Sequence, residues 1–156
     1  PIATDVQGFV RVVRDGKLVY EPWPADDRQA ILSRVGTLKS DAVEAEMLTG
    51  TTDIYRAAQM LAEMGPAEIV LTHRGGLLVY AGGRFHEAGF FPAQLVGRSG
   101  RGDTCLGAYV SRRLASPPAE ATVWAAAVTS LKMEAEGPFG RATGEVEALI
   151  RQKYNF

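Results

Sequence analysis

Apolar residues along this chain alternate between the two-residue period of strands and the 3.6-residue period of helices. Short apolar or alternating runs predict strands at residues 2–6, 9–13, 17–20, 35–38, 68–72, 77–80 and 84–88. Helical periodicity predicts helices at residues 26–34, 41–49, 53–64, 103–114, 119–133 and 144–153. Because strands alternate with helices, the pattern predicts an α/β fold with a mostly parallel sheet, flanking helices and hairpins at the sheet edges.

Local signals set several of these boundaries. Asp15-Gly16 between two β-rich runs is typical of a hairpin. Asp41 and Glu44 have the spacing of a capping box, which predicts the start of a helix. The helix at 119–133 is apolar nearly all round and should be buried. In the helix before it we expect an inner face formed by Leu106, Tyr109, Val110 and Leu114.

Length and charge narrow the function classes. The chain has 156 residues, a net charge of -1 and 46% hydrophobic residues, which predicts a single α/β domain over residues 1–156. A net charge close to zero argues against nucleic acid and anionic membrane as partners. No run approaches the roughly 20 apolar residues of a membrane span. Cys105 is alone, so no internal disulfide forms, which favours a cytoplasmic location.

A glycine-rich run carries the clearest chemical signal. Gly100 and Gly102 allow a tight turn and close approach to a ligand, and a helix follows them. The free N–H groups of that helix start would form an anion hole for a transferring phosphoryl group. Asp103 lies at the same place and could accept the proton of an attacking hydroxyl. Taken alone, however, a glycine turn and an acidic residue in a first turn are better explained as helix capping.

The run resembles the signature of PfkB (ribokinase-type) carbohydrate kinases, commonly D-T-x-G-A-G-D before a helix. Gly100-Arg101-Gly102-Asp103 matches its G-A-G-D core. Further segments resemble the family in the same order: residues 39–44 (N-x-x-E), residues 70–72 with Gly75-Gly76 (T-x-G-x-x-G), residues 125–130 (the helix beside adenine) and residues 134–138 (the nucleotide and cation loop). Residues 5–8 and 34–39 are most similar to inositol-kinase-like members.

The resemblance implies a Rossmann-like ribokinase-type fold, of which this chain would be the C-terminal half. It implies ATP-dependent phosphorylation of a hydroxyl of a sugar, polyol or nucleoside, with Asp103 as the base. The implied anion hole is Gly100, Arg101 and Gly102. The implied nucleotide-binding residues are Thr72, Arg74, Gly75, Gly76, Ala127, Ser130 and Gly137. Glu44 and Asp41 would be linked to Mg²⁺ through water, as such ions usually keep several waters.

Three of the departures from the family pattern bear on the phosphate, cation and metal sites. Arg101 replaces the usual alanine, and its side chain would contact phosphate or point into solvent. Gly97 and Arg98 replace the Asp-Thr whose Asp helps to bind a monovalent cation, so the resemblance does not carry that cation over. Asp41 replaces the asparagine of N-x-x-E, and the capping box explains Asp41 and Glu44 without any metal.

Three readings of function follow. The first is the carbohydrate kinase, with a small sugar or polyol as substrate. The second is a non-catalytic nucleotide-binding module, suggested by the altered cation and asparagine positions. The third is a truncated fragment without the acceptor site, because the chain opens on Pro1 rather than Met. An exposed sheet edge or apolar face in such a fragment would favour self-association, so we expect a homodimer or larger contact.

Overall fold

The computed structural model describes residues 2–97 and 99–154. The strands are β1 (Ile2–Asp5), β2 (Arg11–Arg14), β3 (Lys17–Tyr20), β4 (Val35–Asp41), β5 (Glu68–Thr72), β6 (Gly76–Ala81) and β7 (Arg84–Gly89). The helices are α1 (Gln7–Val10), α2 (Ala25–Leu32), α3 (Ala42–Thr49), α4 (Ile54–Glu63), α5 (Arg101–Arg113), α6 (Pro118–Lys132) and α7 (Thr143–Lys153). Within the described residues no helix has both the length and the apolar character needed to span a bilayer.

Five strands form one sheet in the order β1-β4-β5-β6-β7, and β2 pairs with β3 in a separate ribbon. β4 is parallel to both β1 and β5, with Asp5 opposite Lys39 and Asp41 opposite Thr72. Parallel neighbours require a long crossover, which α3 and α4 supply between β4 and β5. The α/β fold with a mostly parallel sheet is therefore confirmed.

The chain divides into two compact units. The first holds the residues up to Thr72 together with Val79–Phe85, and the second holds His73–Leu78 together with the residues from His86 onward. That residues 1–156 form a single domain stays a prediction.

The first unit has its core between α4 and the sheet strands. Asp53 caps α4 by accepting hydrogen bonds from the N–H groups of Tyr55 and Arg56 at 2.9 and 3.2 Å. The predicted apolar stripe of α4 is buried, at Ala57, Ala58 and Leu61. The strand side chains that complete this core are fully buried, and the largest are Leu38, Ile69 and Leu71.

The second unit is organised by α6, which packs against α5 and α7. Pro118 starts α6, where its missing N–H costs nothing. The buried, largely apolar helix predicted at 119–133 is present as α6. Leu114, however, was wrongly predicted to face inward, because it lies at the C-cap of α5 and is 81% exposed.

Among the boundaries that differ from the predictions, those of α1 and α5 change the picture most. Residues 9–13 were predicted as one strand, but the short helix α1 takes Gln7–Val10 and β2 begins only at Arg11. The Phe9 ring stacks on Trp23 at 4.0 Å between ring centroids, a tertiary contact that a β-propensity pattern does not contain. Helix α5 begins at Arg101, so the glycine run extends into its first turn.

Candidate active site

The glycine run forms the start of α5. Gly100 is the N-cap residue and has φ of +70°, a left-handed conformation that favours glycine. The first N–H groups of α5 have no partner within the helix, and the helix dipole makes this end attractive to anions. The glycine turn followed by the start of a helix, predicted from the sequence, is confirmed.

A cavity of about 480 Å³ opens beside this helix start, entirely within the second unit. Gly100, Asp103 and Thr104 line it from α5, and Lys132 and Gly137 line it from the end of α6 and the segment that follows. Gly137 also has a left-handed backbone, with φ of +77°. Two predicted site residues distant in sequence, Asp103 and Gly137, are thus brought together in one cavity.

Asp103 lies in the first turn of α5 and is exposed. Its carboxylate is therefore within reach of a ligand in the cavity that Gly100 and Lys132 also line. An exposed carboxylate at an anion-attracting helix end suits proton acceptance from a hydroxyl whose oxygen approaches a phosphoryl group.

The segment before the glycine run is hydrogen-bonded to α6 and to the two residues that follow it. The N–H of Phe91 donates to the hydroxyl of Ser130 at 2.9 Å, and that of Ala93 donates to Oε1 of Glu134 at 2.8 Å. The N–H groups of Val96 and Gly97 both donate to the carbonyl of Met133. These bonds tie the approach to Gly100 to the helix that carries Lys132.

Ala127 and Ser130, predicted to lie beside a nucleotide, are fully buried in α6. The Ser130 hydroxyl donates to the carbonyl of Ala126 at 2.7 Å and accepts from the N–H of Phe91. In this structure both side chains pack the unit and offer no surface to a ligand. A nucleotide-binding role for them stays a prediction.

The turn after β5 has its own internal bonds. The His73 N–H donates to the Gly76 carbonyl at 3.0 Å, and the Gly75 N–H donates to His73 Nδ1 at 3.3 Å. Arg74 and Gly75 are exposed, while Gly76 is buried against the backbone of Ala88. None of these residues lines the Asp103 cavity; His73, Gly75 and Gly76 instead border a hollow of about 260 Å³.

Burial lowers the pKa of His73, and the charge of Arg101 lowers it further, while Glu87 acts in the opposite direction. Arg101 and Gly102 are half-buried in the first turn of α5. Neither residue lines the Asp103 cavity. Their role in an anion hole stays a prediction. Thr72 ends β5 and is buried in the first unit.

The predicted magnesium residues Asp41 and Glu44 form the capping box of α3. Asp41 Oδ1 accepts from the Glu44 N–H at 2.9 Å, and Glu44 Oε2 accepts from the Asp41 N–H at 2.8 Å. Arg11 Nη2 takes up the other two oxygens, at 2.6 Å from Asp41 Oδ2 and 2.7 Å from Glu44 Oε1. Three of the four carboxylate oxygens accept hydrogen bonds, and Glu44 Oε1 forms an ion pair with Arg11 but accepts no hydrogen bond from the described residues.

Direct coordination of a magnesium ion by this pair does not fit, because Glu44 is fully buried and its charge is already met by Arg11. Burial raises the pKa of Glu44, opposed mainly by the hydrogen bond from Asp41 and the charge of Lys39. Across residues 2–97 and 99–154 no three His, Cys, Asp or Glu side chains group so as to hold a metal ion. A contact through water stays a prediction.

No protein-family model and no curated protein matches the sequence. A solved pyrophosphate-dependent kinase of the ribokinase family, complexed with a pyrophosphate analogue and myo-inositol, is 40% identical with a TM-score of 0.83, and the match covers 94% of this chain and 52% of that one. A pyrophosphate-dependent myo-inositol-1 kinase converted by substitution into a myo-inositol-3 kinase is 39% identical with the same TM-score, covering 97% and 54%. This chain belongs to the ribokinase family.

A more distant member of the ribokinase family shares the fold alone. Ribokinase of Arabidopsis thaliana, complexed with ribose and ATP, is 23% identical with a TM-score of 0.73, and the match covers 84% of this chain and 44% of that one. The chain spans about half the length of these ribokinase-family proteins. Its glycine run, read as the family's signature, is the run that forms the start of α5.

Lys132 lines this cavity and was not predicted from the sequence. It ends α6 four residues after Val128 and seven after Ala125, both buried, so helical spacing places it on a buried face. A lysine on the buried face of a helix was the sequence feature that could have indicated a functional residue. It was overlooked because the last turn of a helix commonly carries an exposed basic residue.

Proposed function

We propose that this protein transfers a phosphoryl group from pyrophosphate to a hydroxyl of a polyol such as myo-inositol. The observation that carries the proposal is the cavity in which Asp103, the start of α5 and Lys132 meet. The donor and acceptor are taken from two solved structures at about 40% identity. One is a pyrophosphate-dependent kinase complexed with a pyrophosphate analogue and myo-inositol, and the other is a pyrophosphate-dependent myo-inositol-1 kinase. ATP, implied by the sequence resemblance, is the second donor to test.

In the proposed reaction the acceptor oxygen attacks a donor phosphorus atom, and phosphate leaves when pyrophosphate is the donor. Asp103 accepts the proton of the acceptor hydroxyl. The backbone N–H groups of Gly100 to Asp103 stabilise the negative charge on the transferring group. Phosphoryl transfer depends chiefly on positioning and charge stabilisation, so an exposed, weakly basic carboxylate is adequate. No step is assigned to magnesium.

The test is phosphorylation by the protein with pyrophosphate or ATP as donor and myo-inositol or ribose as acceptor, followed by ³¹P NMR. We expect turnover with pyrophosphate and myo-inositol, and a loss of about 100-fold or more for Asp103→Asn. Asp26→Asn is the matched control, since Asp26 is an exposed carboxylate in the first turn of α2, and it should retain full activity.

Full activity of Asp103→Asn would refute the assigned base. Faster turnover with ATP than with pyrophosphate would replace the proposed donor. Binding of either donor without turnover of any acceptor would favour the non-catalytic module.

A further inference from the structure

A connecting segment of irregular backbone, residues 133–142, joins α6 to α7. Gly137, Pro138 and Phe139 from this segment line the cavity that contains Asp103. They form a wall of that cavity facing the start of α5. A change in the position of this wall would therefore change the shape of the proposed reaction site.

Backbone bonding and packing do little to fix the middle of the connecting segment. In the described part of the chain, no backbone-to-backbone hydrogen bond involves residues 136–141. A second cavity, of about 200 Å³, is lined by Phe139 from the segment and by Leu131 from the end of α6. Residues 135–138 are exposed. Because a chain with so few contacts has many conformations open to it, a single arrangement requires a further constraint.

Arg141 supplies a constraint that joins the two ends of the connecting segment. Its Nη2 lies 3.3 Å from Oε2 of Glu134, which comes directly after the C-cap of α6. Its Nη1 lies 2.8 Å from Oε1 of Glu145, in the first turn of α7. One guanidinium thus bridges two carboxylates through separate nitrogens, which its planar fork allows and the single ammonium of a lysine does not.

Both carboxylates are themselves held in place by backbone N–H groups. Oε1 of Glu134 accepts from the N–H of Ala93 at 2.8 Å, and this side chain is only 11% exposed. Oε2 of Glu145 accepts from the N–H of Ala142 at 2.9 Å. The Ala142 N–H and, after it, the Arg141 guanidinium lower the pKa of Glu145, so that carboxylate is charged at neutral pH. The bridge therefore connects α6, α7 and the segment that leads to the glycine run.

We propose that Arg141 is a positioning residue for phosphoryl transfer, which holds residues 137–139 in place beside Asp103. The assignment rests on the proposed function, because it concerns the geometry in which donor and acceptor meet. Arg141 does not itself line the Asp103 cavity, so it acts through the connecting segment rather than by contact with the reacting groups.

The test is Arg141→Gln, which removes the charge and the fork. We expect kcat with pyrophosphate and myo-inositol to fall about tenfold or more, because small misplacements at a reaction site are costly. Tm should fall by no more than about 4 °C, since exposed ion pairs stabilise little. Hydrogen exchange followed by mass spectrometry should show the amides of residues 136–141 exchanging about threefold faster or more.

The matched control is Arg14→Gln, which removes another exposed arginine from an ion pair, 2.7 Å from Glu21 on the β2–β3 ribbon. It should keep the kcat of the parent. Glu134→Gln tests the partner. Because Arg141→Gln and Glu134→Gln break the same bridge, the double variant should have a kcat within about twofold of the slower single variant.

A kcat of Arg141→Gln within about twofold of the parent would overturn the assignment, as would unchanged amide exchange in residues 136–141. A loss of kcat matched by a large fall in Tm would also overturn it, since a purely structural residue gives that result. A parent without turnover whose Arg141→Gln variant still exchanges faster would refute the proposed reaction and support Arg141 as the residue that holds the segment. The two failures are therefore distinguishable.

Discussion

Glu44 and Lys132 show that burial of a charge has opposite meanings depending on its partners. Glu44 is fully buried, but Arg11 and the Asp41 N–H meet both of its oxygens. Lys132 is nearly as buried and has one long contact to a carbonyl. The first has a counter-charge in Arg11, whereas the second leaves N–H donors for a ligand. The sequence singled out Glu44 and overlooked Lys132.

His73 makes a pH-dependent contribution at the residue scale. Because burial lowers its folded pKa below the ordinary 6.5, the unfolded chain takes up the proton first as pH falls. The stability contribution of neutral His73 is complete above about pH 6.5 and is lost as pH falls through the lowered pKa. Asparagine at this position keeps an acceptor for the Gly75 N–H and does not titrate.

We therefore expect His73→Asn to reduce the loss of unfolding free energy between pH 7 and pH 5. Urea unfolding of parent and variant at both pH values measures this difference. An identical pH dependence in the two proteins would show that His73 does not contribute in this way.

At the scale of elements, Gly76, which the family resemblance assigned to nucleotide binding, begins β6 and lies against the backbone at the end of β7. A Cβ on Gly76 would lie 2.4 Å from the Ala88 carbonyl oxygen and 3.0 Å from Cα of Gly89. Close approach of two backbones explains this glycine without a ligand. Gly75 is different, because its Cβ would meet only the His73 ring, at 3.6 Å.

We expect Gly76→Ala to lower the free energy of unfolding by about 1–3 kcal/mol, since the opposing backbone must shift. Gly75→Ala is the adjacent control and should change it by less than about 1 kcal/mol. Denaturant unfolding measures both. Equal stability of the two variants would mean that the hairpin accommodates the methyl group and that Gly76 is needed for another reason.

At the scale of the whole molecule, apolar side chains remain exposed on the ribbon of β2 and β3. Val13 and Leu18 are opposite each other across the two strands, so their side chains share a face, and they are 70% and 58% exposed. A paired apolar face on a short ribbon favours contact with a second copy. Self-association of the protein therefore stays a prediction.

We expect the protein to self-associate and the Val13→Lys/Leu18→Lys double variant to weaken that association at least tenfold, as sedimentation velocity over a range of concentrations would show. Leu114→Lys is the control, because it removes a single exposed leucine at the end of α5. A parent that stays monomeric at high concentration would contradict the prediction.

Local sequence signals determined much of the fold and the core of the site. The capping box at Asp41 and Glu44, the apolar stripe of α4 and the glycine run before Asp103 depend on neighbours within a few residues. Short-range hydrogen bonds and helical spacing therefore suffice to predict them. The glycine run also carried the family resemblance that the solved structures bear out.

Only the tertiary structure decided which side chains face the cavity and which are already engaged. Arg11 reaches Asp41 and Glu44 from 30 positions or more earlier in the chain, and this contact leaves no carboxylate oxygen for direct metal binding. Lys132 approaches Gly100 from the far end of another helix. Such contacts depend on how distant segments pack, and the periodicity of one segment does not contain that information.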